Sequence, residues 1–244
     1  MNWIIIVYNF LFTSFTSFFI PLYNKLIMDI HDYQKIMNYF PPVNPNIENV
    51  LYEADTTYTT YKATSPLKPP AKGEIYSPDI LINNAGILSN NKIDQTSIEE
   101  WKHVLDVNVT GAFSLSHYLY PKMVDDGYGR IINITSMAAK TGGLTAGTSY
   151  SCSKGALSSL TFSLARQGAG KNITVNGIAP AYVETPMVKD MLSEEEKKKI
   201  LEQIPVGRFC KPDEIAHTVS FLISPLAGFI TGEIIDQNGG YHMD

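Results

Sequence analysis

Glycine is missing from the first 72 residues of this 244-residue chain; all 17 glycines lie at Gly73 or beyond. That stretch therefore cannot build, in its usual form, the glycine-rich turn by which a backbone approaches a phosphate closely. Cysteine is scarce as well. Cys152 and Cys210 are too few for a disulfide framework or a thiolate metal site, so no metal is expected and a reduced compartment is the simplest reading. A basic surplus is absent too: the net charge is −5, which argues against nucleic acid as a partner. What remains, 44% apolar and 18% charged residues, suits a folded chain of one large domain or at most two small ones.

Charge is also missing from the start. The first charged side chain is Lys25, after the 18-residue apolar run WIIIVYNFLFTSFTSFFI over residues 3–20. The run approaches the ~20 residues of a membrane-spanning helix. It lacks the basic n-region and small-residue cleavage site of a signal peptide. Two readings stand: a membrane contact through residues 3–20, or a buried apolar segment of a cytoplasmic protein. Cytoplasmic localisation is the expectation and a membrane anchor the alternative. Half the aromatic residues and half the prolines lie before Gly73. Composition thus divides the chain into an atypical segment, 1–72, and a second part, 73–244. Within the first, Pro41-Pro42-Val43-Asn44-Pro45 breaks any helix, 50–55 (VLYEAD) can form a strand, and 58–72 reads as loop.

The second part alternates strands and helices. Apolar runs at 79–83 (DILIN), 129–135 (GRIINIT), 173–177 (ITVNG) and 233–236 (EIID) predict strands. Ser97 with Glu100 three residues on predicts a capping box opening a helix through Leu105. Further helices are expected over 111–123, with Pro121 unsettling its end, and over 148–166, 193–204 and 213–222. The alternation implies an α/β fold: a Rossmann-like parallel sheet with helices on both faces and an atypical N-terminal part.

Three Tyr-x-x-x-Lys pairs occur: Tyr58/Lys62, Tyr118/Lys122 and Tyr150/Lys154. On a helix such a pair shares a face, and an ammonium beside a phenol lowers the phenol's pKa towards useful acid–base chemistry. Context selects the third. Ser136 lies fourteen residues upstream at the end of a predicted strand, where open α/β sheets bind ligands. Small residues flank Tyr150, whereas Tyr58 sits in a threonine-rich loop and Pro121 interrupts the second pair.

These residues carry a resemblance. Asn83-Asn84-Ala85-Gly86, Asn108 in LDVNVTG, Ser136 in INITS, Tyr150-x-x-x-Lys154, 180–185 (PAYVET) and the closing ITGEIIDQNGG together resemble the short-chain dehydrogenase/reductases. The likeness runs from about residue 79 to the C-terminus and is nearest to the 3-oxoacyl-(acyl-carrier-protein) reductase and sugar-alcohol dehydrogenase group. It implies an oxidoreductase that uses NADP or NAD to interconvert a small-molecule ketone and a secondary alcohol. It also points to a homo-oligomer, a dimer or tetramer. Tyr150 is then the general acid and base. Lys154 holds the nicotinamide ribose and tunes Tyr150, Ser136 binds the substrate carbonyl, and Asn108 positions a water. Asn84, Ala85, Gly86, Pro180, Val183 and Thr185, with Tyr150 and Lys154, contact the cofactor.

Each role has a plainer competitor. Asn83–Gly86 can be an ordinary turn, Asn108 can satisfy backbone groups at a helix kink, Ser136 can be an N-cap, and Thr185 can start a helix. Cys152 is expected to be a small buried residue. The chain also departs from the family: its glycine-rich TGxxxGxG turn is absent, Asp55 has only a doubtful equivalence to an adenine-contacting aspartate, and Ala181 replaces a glycine. An impaired relative without a phosphate loop, and a membrane-tethered reductase, are therefore the alternatives.

Overall fold

A computed structural model describes the backbone of residues 4–7 and, in full, residues 79–185 and 192–243. The expectations for 50–55, Asp55, 58–72 and the 41–45 breaker lie outside the described residues. All described residues belong to one compact unit.

The sheet has five parallel strands in sequential order: β1 (Ile4–Val7), β2 (Ile80–Asn83), β3 (Gly129–Ile134), β4 (Ile173–Pro180) and β5 (Ile234–Gln237). Parallel neighbours require crossovers, and helices supply them. Between β2 and β3 run α1 (Ile98–Leu105), a π-helical stretch over Asp106–Thr110 and α2 (Gly111–Asp126). The short α3 (Ala138–Thr141) and long α4 (Thr148–Gly168) join β3 to β4, and α5 (Glu194–Leu201) and α6 (Pro212–Leu222) lie between β4 and β5.

Alternation along the strands sorts the helices to two faces. Ile80, Ile82, Ile132 and Ile178 point to one side and pack with Ile215, Val219 and Leu222 of α6. The intervening residues face α2 and α4: Asn83 donates to Ser116 at 3.4 Å and to Asn133 at 2.8 Å, and Asn133 donates to Thr161 at 2.8 Å. The doubly covered parallel sheet is the expected architecture.

Several boundaries move. Ile4–Val7 form a strand against β2 rather than the start of a membrane helix, in keeping with four consecutive β-branched residues. No helix among the described residues is long and apolar enough to cross a membrane. α2 continues through Pro121 to Asp126, because Leu119 and Met123 on either side of the proline are buried on the sheet. Ser97 caps α1 by accepting from the Glu100 N–H at 3.1 Å. The reciprocal half of the expected capping box is not made there, since the Glu100 carboxylate serves Ser89, Asn91 and Ser149.

Candidate active site

The carboxyl ends of β2, β3 and β4 meet α4 around a cavity of about 200 Å³. Asn84, Gly86, Ser136, Tyr150, Lys154, Pro180, Val183 and Thr185 line it. Asn108 and Ala85 do not.

Lys154 stands at its base. The side chain is 4% exposed, and its ammonium donates to the Ile134 carbonyl at 2.8 Å. An ammonium has three N–H donors, and the other two meet no acceptor among the described residues. Burial pulls its pKa down to about 8. Nζ lies 5.7 Å from the centroid of the Tyr150 ring. Burial also pushes the Tyr150 phenol above its ordinary value, while a hydrogen bond with Ser136 pulls the other way. The spacing argument expected the ammonium to lower the phenol; burial sets the direction here against the Ser136 hydrogen bond, and the phenol is protonated at neutral pH. Ser136 does act as a local cap, its Oγ accepting from the Ala138 N–H at 3.1 Å, and it reaches Tyr150 as well.

Asn108 sits in the π-helical stretch and is fully buried. Its Oδ1 accepts from the Ile87 N–H at 2.8 Å, and its Nδ2 donates to the Ile87 carbonyl at 3.0 Å and to Ser153 at 2.9 Å. It therefore clamps the turn after β2 to α4. The widened helical turn brings this amide level with Ile87.

Gly86 fits the same geometry. A Cβ there would stand 3.3 Å from Lys154 Nζ and 3.5 Å from Asn108 Oδ1, so glycine keeps the space before the ammonium open. An open cradle with two unused cationic donors suits the vicinal hydroxyls of a ribose. Thr185 is 4% exposed at the far wall, beside Val183 and Pro180.

Other lining residues went unread in the sequence. Gly143 to Ala146 form a wall, with Tyr182 facing them; Thr145 Oγ and the Tyr182 hydroxyl lie 3.0 Å apart. The Gly142-Gly143 pair was the available signal, marking a loop between Ser136 and Tyr150. Cys152 is exposed rather than buried, because it lies on the outer face of α4. His242 is half-buried, and its carbonyl accepts from Asn238 Nδ2 at 2.7 Å.

A tyrosine–lysine pair on a helix, a serine just past the end of the neighbouring strand and a doubly covered parallel sheet stand together as the sequence resemblance implies. Residues 64–242 match the family model described as enoyl-(acyl carrier protein) reductase, so the chain belongs to the short-chain dehydrogenase/reductases. It is 46% identical over 162 residues to a 3-oxoacyl-(acyl-carrier-protein) reductase of Aquifex aeolicus, covering 66% of this chain and 64% of that protein. It is 43% identical over 165 residues to an acetoacetyl-CoA reductase of Rhizobium meliloti, covering 68% of each. A crystal structure of a 3-oxoacyl-(acyl-carrier protein) reductase with bound NAD from Brucella melitensis superposes with a TM-score of 0.65 at 32% identity, covering 69% of this chain and 64% of that one. The chain thus spans just under two thirds of the Aquifex relative's length.

Proposed function

We propose that this protein is an NAD(P)-dependent oxidoreductase that interconverts a 3-oxoacyl thioester and its secondary alcohol. The observation carrying this reading is the half-buried Tyr150 phenol, protonated at neutral pH, bonded to Ser136 and backed by a Lys154 ammonium with two donors unused among the described residues. Both named curated relatives reduce 3-oxoacyl thioesters, and the Brucella relative binds NAD.

Ser136 and Tyr150 converge where a substrate carbonyl oxygen would lie. Ser136 donates a hydrogen bond to that oxygen, and Tyr150 transfers its proton to it as the carbon is reduced. The phenolate left behind is stabilised by the Lys154 charge and the Ser136 hydroxyl. The bound nicotinamide, when reduced, supplies the hydride. Lys154 would hold its ribose through the two unused donors, with Asn84 and Gly86 beside them and Pro180, Val183 and Thr185 towards the carboxamide. Asn108 holds the turn and α4 in place. In the oxidative direction Tyr150 must first lose its proton, so alkaline pH favours that direction.

One observation favours a second reading, an impaired relative. No glycine follows β1, where the chain reads Tyr8-Asn9-Phe10-Leu11-Phe12. Titration with NADH and NADPH, followed by nicotinamide fluorescence, together with turnover of an acetoacetyl thioester, separates the two. Binding with turnover supports the reductase. Absence of both in the folded protein rejects it.

A further inference from the structure

Lys92 lies outside the cavity, yet it gathers three carbonyls of the cavity wall. Its ammonium takes the Gly143 carbonyl at 2.9 Å, that of Leu144 at 3.4 Å and that of Ala146 at 2.7 Å. Backbone contacts brace the same junction: the Gly147 N–H donates to the Ser89 carbonyl at 2.7 Å and the Thr148 N–H to that of Asn91 at 3.0 Å. Gly143 makes the gathering feasible. Its φ is +82°, and a Cβ would fall 2.7 Å from the Ala146 carbonyl oxygen.

A planar trans peptide points its N–H opposite to its C=O. With the Gly143 and Leu144 carbonyls turned to Lys92, the N–H groups of Leu144 and Thr145 point away from it. Both residues line the cavity and Lys92 does not. Neither N–H has an acceptor among the described residues. Two adjacent amides without a partner among the described residues thus lie in the wall of the cavity that holds Ser136 and Tyr150.

We propose that the Leu144 and Thr145 N–H groups face into the cavity and bind the second carbonyl oxygen of a 1,3-dicarbonyl substrate, the thioester oxygen, and that Lys92 is the positioning residue that aims them. This rests on the reductase reading for the identity of the substrate, but not for the existence of the site. A simple ketone has nothing to place there. The pair of amides would therefore distinguish a 3-oxoacyl compound from a monoketone through its second oxygen.

Binding can be measured without turnover. Ligand-observed NMR titrations of the full chain with S-acetoacetyl-cysteamine and with 2-pentanone would be run on the parent, Lys92→Met and Lys92→Arg. The expected result is about tenfold weaker binding of the dicarbonyl by Lys92→Met, equivalent to ~1.4 kcal/mol. The monoketone should change by less than about twofold, and Lys92→Arg should restore most of the loss. Equal weakening of both ligands, no weakening of the dicarbonyl, or no preference for it in the parent would overturn the proposal. Thermal melting of each variant shows that the comparison is between folded proteins. Turnover of the same thioester tests the reductase reading separately: selective dicarbonyl binding without turnover would keep the site and reject the reaction.

Discussion

Tyr150 and Lys154 hold their protons against opposite tendencies, and this sets the pH behaviour of the site. Burial raises the phenol and lowers the ammonium to about 8, so at pH 7 both are protonated. Carbonyl reduction should therefore be flat from about pH 6 to 7.5. It should fall above pH 8 as Lys154 loses its charge, and a steady-state pH profile checks this. Lys154→Met should shift that profile while abolishing most activity. The linkage to stability has a definite sign. The folded-state pKa of Lys154 lies below its unfolded value of ~10.4, so the unfolded chain binds more protons between pH 8 and 10.4. The buried charge destabilises the fold most at neutral pH, and that cost fades as pH rises through this window. Melting temperatures of the parent relative to Lys154→Met should rise accordingly between pH 7.5 and 10. Tyr150→Phe removes only the hydroxyl and should cost ~10²–10⁴ in rate. Tyr118→Phe should do little, since Tyr118 lies on α2 with Lys122 Nζ 4.1 Å from its ring centroid. The selected pair was legible because Ser136, Asn108 and Tyr150 occur in order. Lys92 was not, because its partners lie more than 50 residues away and no periodicity joins a lysine to three carbonyls.

Among the elements, the π-helical stretch between α1 and α2 carries the site's alignment. Asn108→Leu would leave the Ile87 N–H and carbonyl without their side-chain partners, at a cost of ~1–3 kcal/mol for each group left unsatisfied. A fall in melting temperature of several degrees, with reduced activity, is the expected outcome in a thermal scan. The capped and amphipathic helices could be read closely: α5 starts after Ser193, whose capping box with Glu196 is formed. The rest resisted for physical reasons. Glu100 has the spacing of a capping box, but Ser89 and Asn91 compete for its carboxylate from a neighbouring loop. Pro121 breaks isolated helices, yet burial of the residues around it carries α2 onward. The isoleucines of β1 are apolar at every period, so pattern alone could not distinguish strand from helix.

At the scale of the whole molecule, the proposed function needs a dinucleotide site, and no glycine precedes Gly73 to build the usual phosphate turn. Charge-assisted hydrogen bonds are worth ~1.5–3 kcal/mol each. Losing two phosphate contacts would weaken binding ~10²–10⁴-fold, so calorimetry with NADH and NADPH should give dissociation constants well above micromolar. Low-micromolar affinity for either would show that residues 1–72 hold the phosphates by another route. We also expect self-association: Phe113 on α2 and Phe162 on α4 are 52% and 50% exposed, an apolar surface suited to pairing across a two-fold axis. Sedimentation should show a dimer or larger species, and Phe113→Lys with Phe162→Lys should shift it towards monomer. The pairing of β1 with β2 has a kinetic consequence. β1 is four residues long and stands at the end of the order of the described strands, whereas β3 is paired on both sides. A short terminal strand has fewer hydrogen bonds to lose and opens first. Amide hydrogens of Ile4–Val7 should therefore exchange with deuterium well before those of Ile131 and Ile132, and the loss of β1 should appear as a separate, low-energy opening within an otherwise protected sheet.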